Sequence, residues 1–172
     1  METRINELSE KQLDELAERI VFSIRKDREE ERKQFKKYAE HNTALLLRYY
    51  HKLKGHTDSV KEQLEADQDT FWDHRRLDLS ILMENKAKTV KLMNHVDYAL
   101  EIYEKVCKNS DSAEERRHYQ IIMRKYINDK RESDQQIADY FDKDRTTINR
   151  NCKEAIQDLS VILFGVDMLN YW

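Results

Sequence analysis

Five polar and basic side chains between residues 145 and 153 recur at spacings that bring them to one side of an α-helix. They are Arg145, Thr146, Asn149, Arg150 and Lys153. Such groups can hydrogen-bond base edges or phosphates when a helix lies in the major groove of DNA. The pattern therefore favours sequence-specific binding of duplex DNA. A helical hairpin with no ligand also alternates polar and apolar faces, and it is the structural alternative.

Two short helices joined by a tight turn would position these side chains. Ile137, Ala138 and Phe141 supply the inner face of the first helix. Asp142 falls at the turn and tolerates the left-handed conformation, and Asp144 is a good N-cap for the second helix. The apolar residues of the second helix recur at steps of one, three or four: Ile148, Cys152, Ala155, Ile156 and Leu159. The stretch 134–159 thus predicts a helix-turn-helix with an exposed basic face.

A supporting helix is predicted just upstream of this motif. Ser112 and Glu115 form a capping-box pattern, and an apolar side follows it. Its members are Tyr119, Ile122, Met123, Tyr126 and Ile127. Residues 113–131 also contain six basic side chains against three acidic ones. Phosphate contact and ordinary solvation of a helix face are both open interpretations of this charge.

Composition predicts a nearly all-helical protein. The 172 residues include no proline, and the two glycines are Gly55 and Gly165. Charged residues make up 38% and apolar residues 39% of the chain, which favours elongated amphipathic helices over a thick globular core. Because the net charge is −3, any affinity for DNA must come from a local basic surface.

The N-terminal part shows several amphipathic segments. Apolar residues recur at Leu8, Leu13, Leu16, Ile20 and Ile24, with Ser9 as a candidate cap. Residues 25–34 contain no apolar side chain, and opposite charges spaced by three or four residues should keep a helix continuous there. Apolar periodicity resumes over 35–53 and places Asn42 in the seam. We expect Gly55 to end this helix, and Thr57 or Asp58 to cap the next.

Two further apolar runs cover 60–72 and 79–107, and the polar run 108–111 is the predicted domain boundary. We therefore predict a coiled-coil-like helical oligomerisation region over 1–108 and a helix-turn-helix DNA-binding domain over 109–172. A homodimer is expected, because one recognition helix reads few bases and paired modules are common. A plain helical core is the alternative. The apolar residues of 166–172 should fold back onto the core or else contact a partner.

No feature of the sequence predicts catalysis, a metal or a cofactor. Cys107 and Cys152 lie far apart, so no zinc ribbon, redox pair or disulfide framework is indicated. Only Glu115 and His118 have the Glu-x-x-His spacing that metal sites of helical bundles repeat. A Gly-rich phosphate loop is also missing. Without a signal peptide or an apolar run that could span a bilayer, we expect a cytoplasmic protein that contacts no membrane.

The C-terminal residues resemble region four of bacterial sigma factors, and still more the ArpU-type regulators of phages and prophages. The resemblance covers about 50 of the 172 residues. It is carried by Tyr126, Ile127, 133–141, 144–150, Lys153, Ala155, Ile156 and Leu159. Departures are Asp142 in place of the favoured Gly, and polar Lys143 and Asn151 where apolar residues are usual.

This resemblance implies a transcription factor of phage or prophage late genes, associated with the nucleoid of the bacterial host. Arg145, Thr146, Asn149 and Arg150 would then approach bases. Gln135, Gln136 and Lys153 would lie near phosphates. Two competing classes are a phage small terminase subunit, which assembles into rings, and a helical scaffold or RNA polymerase-binding protein. Solution mass separates the first from a dimeric regulator, and retention of duplex DNA separates the second.

Overall fold

The computed structural model describes residues 10–58 and 86–165, and every regular element in these two stretches is helical. The helices are α1 (Glu10–Asp58), α2 (Lys86–Lys108), α3 (Ala113–Ile122), α4 (Asp134–Phe141) and α5 (Arg145–Phe164). A π-helical turn, Met123–Ile127, continues α3. The predicted all-helical class is confirmed for these residues. None of these helices has the length and apolar character needed to cross a membrane.

Several sequence predictions lie outside the described residues. These are the cap at Ser9, the apolar run over 60–72, the first part of the run over 79–107, and the C-terminal segment 166–172.

The chain divides into two compact units, Met1–Lys36 and Lys37–Trp172. The division falls within α1, whose polar stretch 25–34 is helical and exposed, as its charge pattern predicted. The boundary predicted after residue 108 coincides with the end of α2 and lies within the second unit.

Gly55 does not end α1, which continues to Asp58, so this prediction was wrong. Neighbouring side chains explain the difference, since Leu53 and Thr57 are both buried. The Thr57 hydroxyl also donates a hydrogen bond to the carbonyl oxygen of Lys54 at 2.7 Å. Packing on both sides of Gly55 thus outweighs a helix penalty of about 1 kcal/mol for glycine. Thr57 and Asp58 lie in the last turn of α1, and the helix that either residue was predicted to cap lies outside the described residues.

The main hydrophobic core joins α1, α2, α3 and α5. Leu47, Val96, Ile122 and Leu159 represent the four helices, and each exposes 1% of its surface or less. Full burial of one such side chain contributes about 1.5–3 kcal/mol to folding. Asn42 is also buried, as its place in the apolar seam of α1 predicted.

Polar contacts fix the pairing of α1 with α2. Asp97 of α2 accepts a hydrogen bond from the Tyr50 hydroxyl at 2.7 Å and forms an ion pair with Lys54. These partly buried contacts set the register of the two helices, because each requires one particular pair of residues to face each other.

A second hydrophobic cluster holds α4 and α5 against α3. Its buried members are Ile121, Ile137, Ala138, Ile148 and Cys152. Tyr126 and Ile156 contact this cluster and the main core as well. Tyr126 lies in the π-helical turn, which closes with a hydrogen bond of 2.8 Å from the Asn128 N–H to the Met123 carbonyl oxygen. The two clusters therefore share side chains.

Candidate nucleic-acid interface

Helix α4 begins with a reciprocal capping box. The Gln136 N–H donates to the Ser133 hydroxyl at 3.3 Å, and the Ser133 N–H donates to Gln136 Oε1 at 2.8 Å. Sequence reasoning missed this cap, although a Ser followed three residues later by Gln is its known signal. Gln136 was assigned to phosphate contact instead. Its carbonyl oxygen is engaged in the cap, so its amide NH₂ is the group left to face a ligand.

The other glutamine assigned to phosphate contact, Gln135, lies exposed in the first turn of α4. Its Nε2 donates to Asp139 Oδ1 at 2.8 Å, one turn further along the same helix. One of its two amide protons is thus used within α4.

The turn between α4 and α5 has the chemistry that the sequence predicted. Asp142 has φ 51° and ψ 53°, in the left-handed region. The Lys143 N–H closes the end of α4 on the Ala138 carbonyl oxygen at 3.0 Å. Asp144 then caps α5, since its carboxylate accepts from the Thr147 N–H at 2.8 Å and from the Thr147 hydroxyl at 2.6 Å. These hydrogen bonds from Thr147 hold the pKa of Asp144 below its ordinary value.

The inner face of α5 is buried as predicted. Ile148, Ala155 and Leu159 are fully buried, Cys152 is buried, and Ile156 is partly buried. Burial raises the pKa of the Cys152 thiol, which therefore stays protonated and packs as an apolar group. Because this face packs against the protein, the exposed polar side chains of α5 lie on the opposite side of the helix.

The outward face of α5 brings together the five polar and basic side chains that the sequence predicts to contact DNA. Arg145, Thr146, Arg150 and Lys153 are exposed, and Asn149 is half-buried. Arg145 and Lys153 form no ion pair with any residue of the described ranges. Residues 142–153 contain four basic and two acidic side chains, but Glu114 and Glu154 lie beside Arg150, so the positive charge of this surface is concentrated at Arg145 and Lys153. The DNA-binding role of these residues stays a prediction.

Arg150 differs from the other cations because it is paired. Its Nη2 donates to Glu114 Oε1 of α3 at 2.8 Å, and its Nε lies 3.8 Å from Glu154 Oε1. The side chain is still 61% exposed. The hydrogen bond to Glu114 raises the pKa of Arg150. Sequence reasoning missed Glu114, because 36 residues separate it from Arg150 and no local pattern joins them.

Glu114 also explains the polar residue at position 151. Asn151 is fully buried, and its Nδ2 donates to Glu114 Oε1 at 2.5 Å and to Glu154 Oε2 at 3.3 Å. These hydrogen bonds compensate for the desolvation of the amide NH₂. The hydrogen bonds from Asn151 and then from Arg150 lower the pKa of Glu114. A carboxylate from α3 thus supplies the polar partner of the buried Asn151 amide.

The basic side chains of 113–131 are partly engaged within the protein. Arg124 pairs with Glu132 at 2.8 Å, and its guanidinium carbon lies 3.3 Å from the ring centre of Tyr140. Lys125 pairs with Asp134 at 2.5 Å, whereas Lys130 and Arg131 are exposed. Arg124 and Lys125 therefore stabilise the link from α3 to α4.

Only one of the two hydrogen bonds of the capping box predicted at the start of α3 is present. The Glu115 N–H donates to the Ser112 hydroxyl at 3.3 Å. The Glu115 carboxylate, however, accepts from the Ser110 hydroxyl at 2.5 Å, and that hydroxyl also accepts from the Ser112 N–H at 3.0 Å. Ser110 therefore accepts from the Ser112 N–H in place of Glu115, because the tight link after α2 brings the Ser110 hydroxyl close to the start of α3.

His118 of α3 is buried between two carboxylates of α5. Its Nε2 lies 3.5 Å from Glu154 Oε2, and its Nδ1 lies 3.3 Å from Asp158 Oδ2. Tyr103 of α2 donates to Asp158 at 3.3 Å. The carboxylates face different nitrogens of the ring, so they do not converge on one point. Within 10–58 and 86–165, no three His, Cys, Asp or Glu residues are arranged to hold a metal ion.

The surface formed by α4, the turn and α5 can donate hydrogen bonds and offer positive charge along one exposed helix. Its backbone is fixed by two N-caps and a left-handed turn residue, and its inner face is closed by the second cluster. Comparison of the chain with protein-family models, curated proteins and solved structures finds no match.

Proposed function

We propose that the chain binds duplex DNA with sequence preference through α4 and α5, which act as a helix-turn-helix. Helix α5 would enter the major groove with its N-terminal half, as recognition helices do. The observation that supports this most directly is the two-sidedness of α5. Ile148, Ala155 and Leu159 are completely buried, while Arg145, Thr146 and Lys153 are exposed on the other side.

The roles divide by the chemistry of each group. Arg145, Thr146, Asn149 and Arg150 would approach bases, because Arg can pair with guanine and Asn with adenine. Lys153 would neutralise a phosphate, because it is an exposed cation without an ion-pair partner among the described residues. Gln135 and Gln136 would donate to the backbone from the first turn of α4.

The chain would serve as a transcriptional regulator in the cytoplasm of a bacterial host, acting on late genes of a phage or prophage. The resemblance of the C-terminal residues to ArpU-type regulators supports this role. RNA polymerase is a candidate second partner, since regulators with a region-four-type module act at promoters.

The working form would be a homodimer paired through the first part of α1. Leu13, Leu16, Ile20 and Ile24 recur at helical spacing, and each exposes 46–50% of its surface. A second copy of the same helix would cover this face, because an apolar stripe at spacings of three and four matches the seam of a helix pair. Ring assembly, as in a small terminase subunit, would use the same stripe and is separated from the dimer by solution mass.

Selection of bound sequences from a random duplex pool tests the proposal. We expect retention at low salt and a palindromic consensus, which reports specificity and two-fold pairing together. Lys153→Ala should weaken binding to all sequences alike and reduce the dependence of log affinity on log salt by about one ion. Lys105→Ala on α2 removes the same charge from an exposed position and is the matched control.

Two results would overturn the proposal. Wild-type protein that retains no duplex at low salt would favour a scaffold or a polymerase-binding protein. An equal loss of affinity in Lys105→Ala and Lys153→Ala would mean that binding follows overall charge and not the surface of α5.

A further inference from the structure

We propose that Glu114 is a positioning residue that holds Arg150 for contact with a base and keeps it from the phosphate backbone. This inference rests on the proposed DNA binding through α5. Glu114 lies on α3, outside the helix-turn-helix itself, and its effect on recognition would pass through Arg150 and Asn151.

The acceptor that holds Arg150 is itself anchored. One oxygen of Glu114, Oε1, accepts from Arg150 Nη2 at 2.8 Å and from Asn151 Nδ2 at 2.5 Å. Asn151 is fully buried, so its amide has little freedom to move. A typical surface ion pair lacks such an anchor and contributes little order. Here the buried amide fixes the carboxylate, and the carboxylate fixes the guanidinium.

The remaining donors of Arg150 suit a base edge. A guanidinium carries five N–H donors in a planar fork, and Glu114 uses a donor on Nη2. Because the side chain remains 61% exposed, further donors can reach the O6 and N7 atoms of a guanine. Preorganisation of the fork reduces the conformational entropy that Arg150 would lose on binding.

The local charge disfavours a phosphate contact. Two carboxylates, those of Glu114 and Glu154, lie beside the single guanidinium of Arg150. Their combined charge exceeds that of the arginine, so an approaching phosphate meets a net negative group. Guanine carries no formal charge and avoids this repulsion. Lys153 has no ion pair with a described residue and stays the better phosphate ligand.

Glu114→Gln is the central variant because it removes the charge and keeps an oxygen that can accept from Asn151. We expect discrimination at one base-pair position to fall about tenfold, as when a bidentate base contact is lost. Affinity for unrelated duplexes should hold or rise, and its salt dependence should steepen by about one ion. A merely structural role of Glu114 would weaken binding to all sequences and would not steepen the salt dependence.

Glu115→Gln is the matched control. It makes the same charge change at the next residue of the same helix turn, where the carboxylate contacts Ser110 and not α5. We expect its selected consensus and salt dependence to equal those of the wild type. Equal effects of Glu114→Gln and Glu115→Gln would overturn the inference. They would show that recognition depends on the overall charge of this helix and not on the contact of Glu114 with Arg150.

Arg150→Ala is the third variant. It should lose the preference at the same base-pair position, and adding Glu114→Gln to it should not change the preference at that position further. Glu114→Asp keeps the charge and draws the carboxylate back by one methylene. It should therefore lose discrimination without steepening the salt dependence, and it serves if Glu114→Gln does not fold.

The outcomes separate the two proposals. If the wild type yields no consensus, the DNA-binding function fails and this inference fails with it. If the wild type yields a consensus that Glu114→Gln retains at every position, DNA binding stands and the positioning role of Glu114 is wrong.

Discussion

The two units of the chain have similarly spaced apolar residues, but these residues are exposed in the first unit and buried in the second. In the first unit, Leu13, Leu16 and Ile20 expose 47–50% of their surfaces. In the second, Leu46 and Leu47 expose 1% or less, although they belong to the same helix, α1. Spacing therefore identifies the apolar side of a helix, while burial depends on what packs against that side. The apolar residues of the second unit are covered by its other helices, whereas those of the first unit stay exposed.

Loss of a core side chain should produce the largest effect. Leu159 of α5 is fully buried in the main core, so Leu159→Ala should lower the free energy of unfolding by about 2–5 kcal/mol. Urea denaturation followed by circular dichroism measures this change. Leu16→Ala, the same substitution in the first unit, should change the free energy of unfolding of the dissociated monomer by about 0.5 kcal/mol or less. Equal losses in the monomer would show that this face of α1 is buried within a single chain.

A charge placed on the exposed apolar face should dissociate the proposed dimer. Ile20→Glu removes an apolar contact for which full burial is worth about 1.5–3 kcal/mol per side chain, so the dissociation constant should rise at least about tenfold. Sedimentation equilibrium measures the change. Phe22 exposes 71% of its surface and lies two residues away, on the opposite side of the helix, so Phe22→Glu is the control. A constant mass in the Ile20 variant would place the partner elsewhere.

Removal of a helix cap should have an intermediate effect. Ser133→Ala breaks the capping box of α4, which has eight residues, and should lower the free energy of unfolding by about 1 kcal/mol. Ser23 lies exposed inside α1 and caps no helix, so Ser23→Ala should leave stability unchanged or slightly higher. A comparable loss in both variants would argue against the cap as the cause.

The smallest expected effect is a gain. A methyl group at Gly55 would meet no atom within 4 Å, and Gly55 lies inside α1. Gly55→Ala should therefore raise the free energy of unfolding by about 0.5–1 kcal/mol, because alanine favours the helix. The sign of the change in the free energy of unfolding shows whether Gly55 lies inside the helix or ends it. A glycine that ended the helix in a left-handed conformation would make the same substitution destabilising.

The predictions that succeeded depend on local chemistry. Asp142 in the left-handed turn and Asp144 as N-cap follow from the short reach of an aspartate side chain to its own backbone. The buried stripe from Ile148 to Leu159 follows from helical periodicity. Each involves residues within a few turns of one another, where sequence separation and distance are nearly the same quantity.

The features that the sequence did not predict depend on packing and on competing hydrogen-bond partners. Gly55 carries the usual signal of a helix end, and packing of the residues around it overrides that signal. Asn151 looks out of place in an apolar stripe until Glu114, 37 residues earlier, supplies its acceptor. Glu115 matches a capping box, yet the hydroxyl of Ser110 captures its carboxylate. The contact of Asn151 with Glu114 requires α3 and α5 to be packed together, while Glu115 contacts Ser110 only five residues earlier in the tight link after α2.

The double membership of Tyr126 and Ile156 has a consequence for cooperativity. Both side chains contact the cluster behind α4 and also the main core. Opening the smaller cluster would therefore strip contacts from the larger one, so α4 and α5 should not melt ahead of the helices behind them. Amide protons of α5 and of α2 are accordingly expected to exchange with solvent through the same global unfolding event.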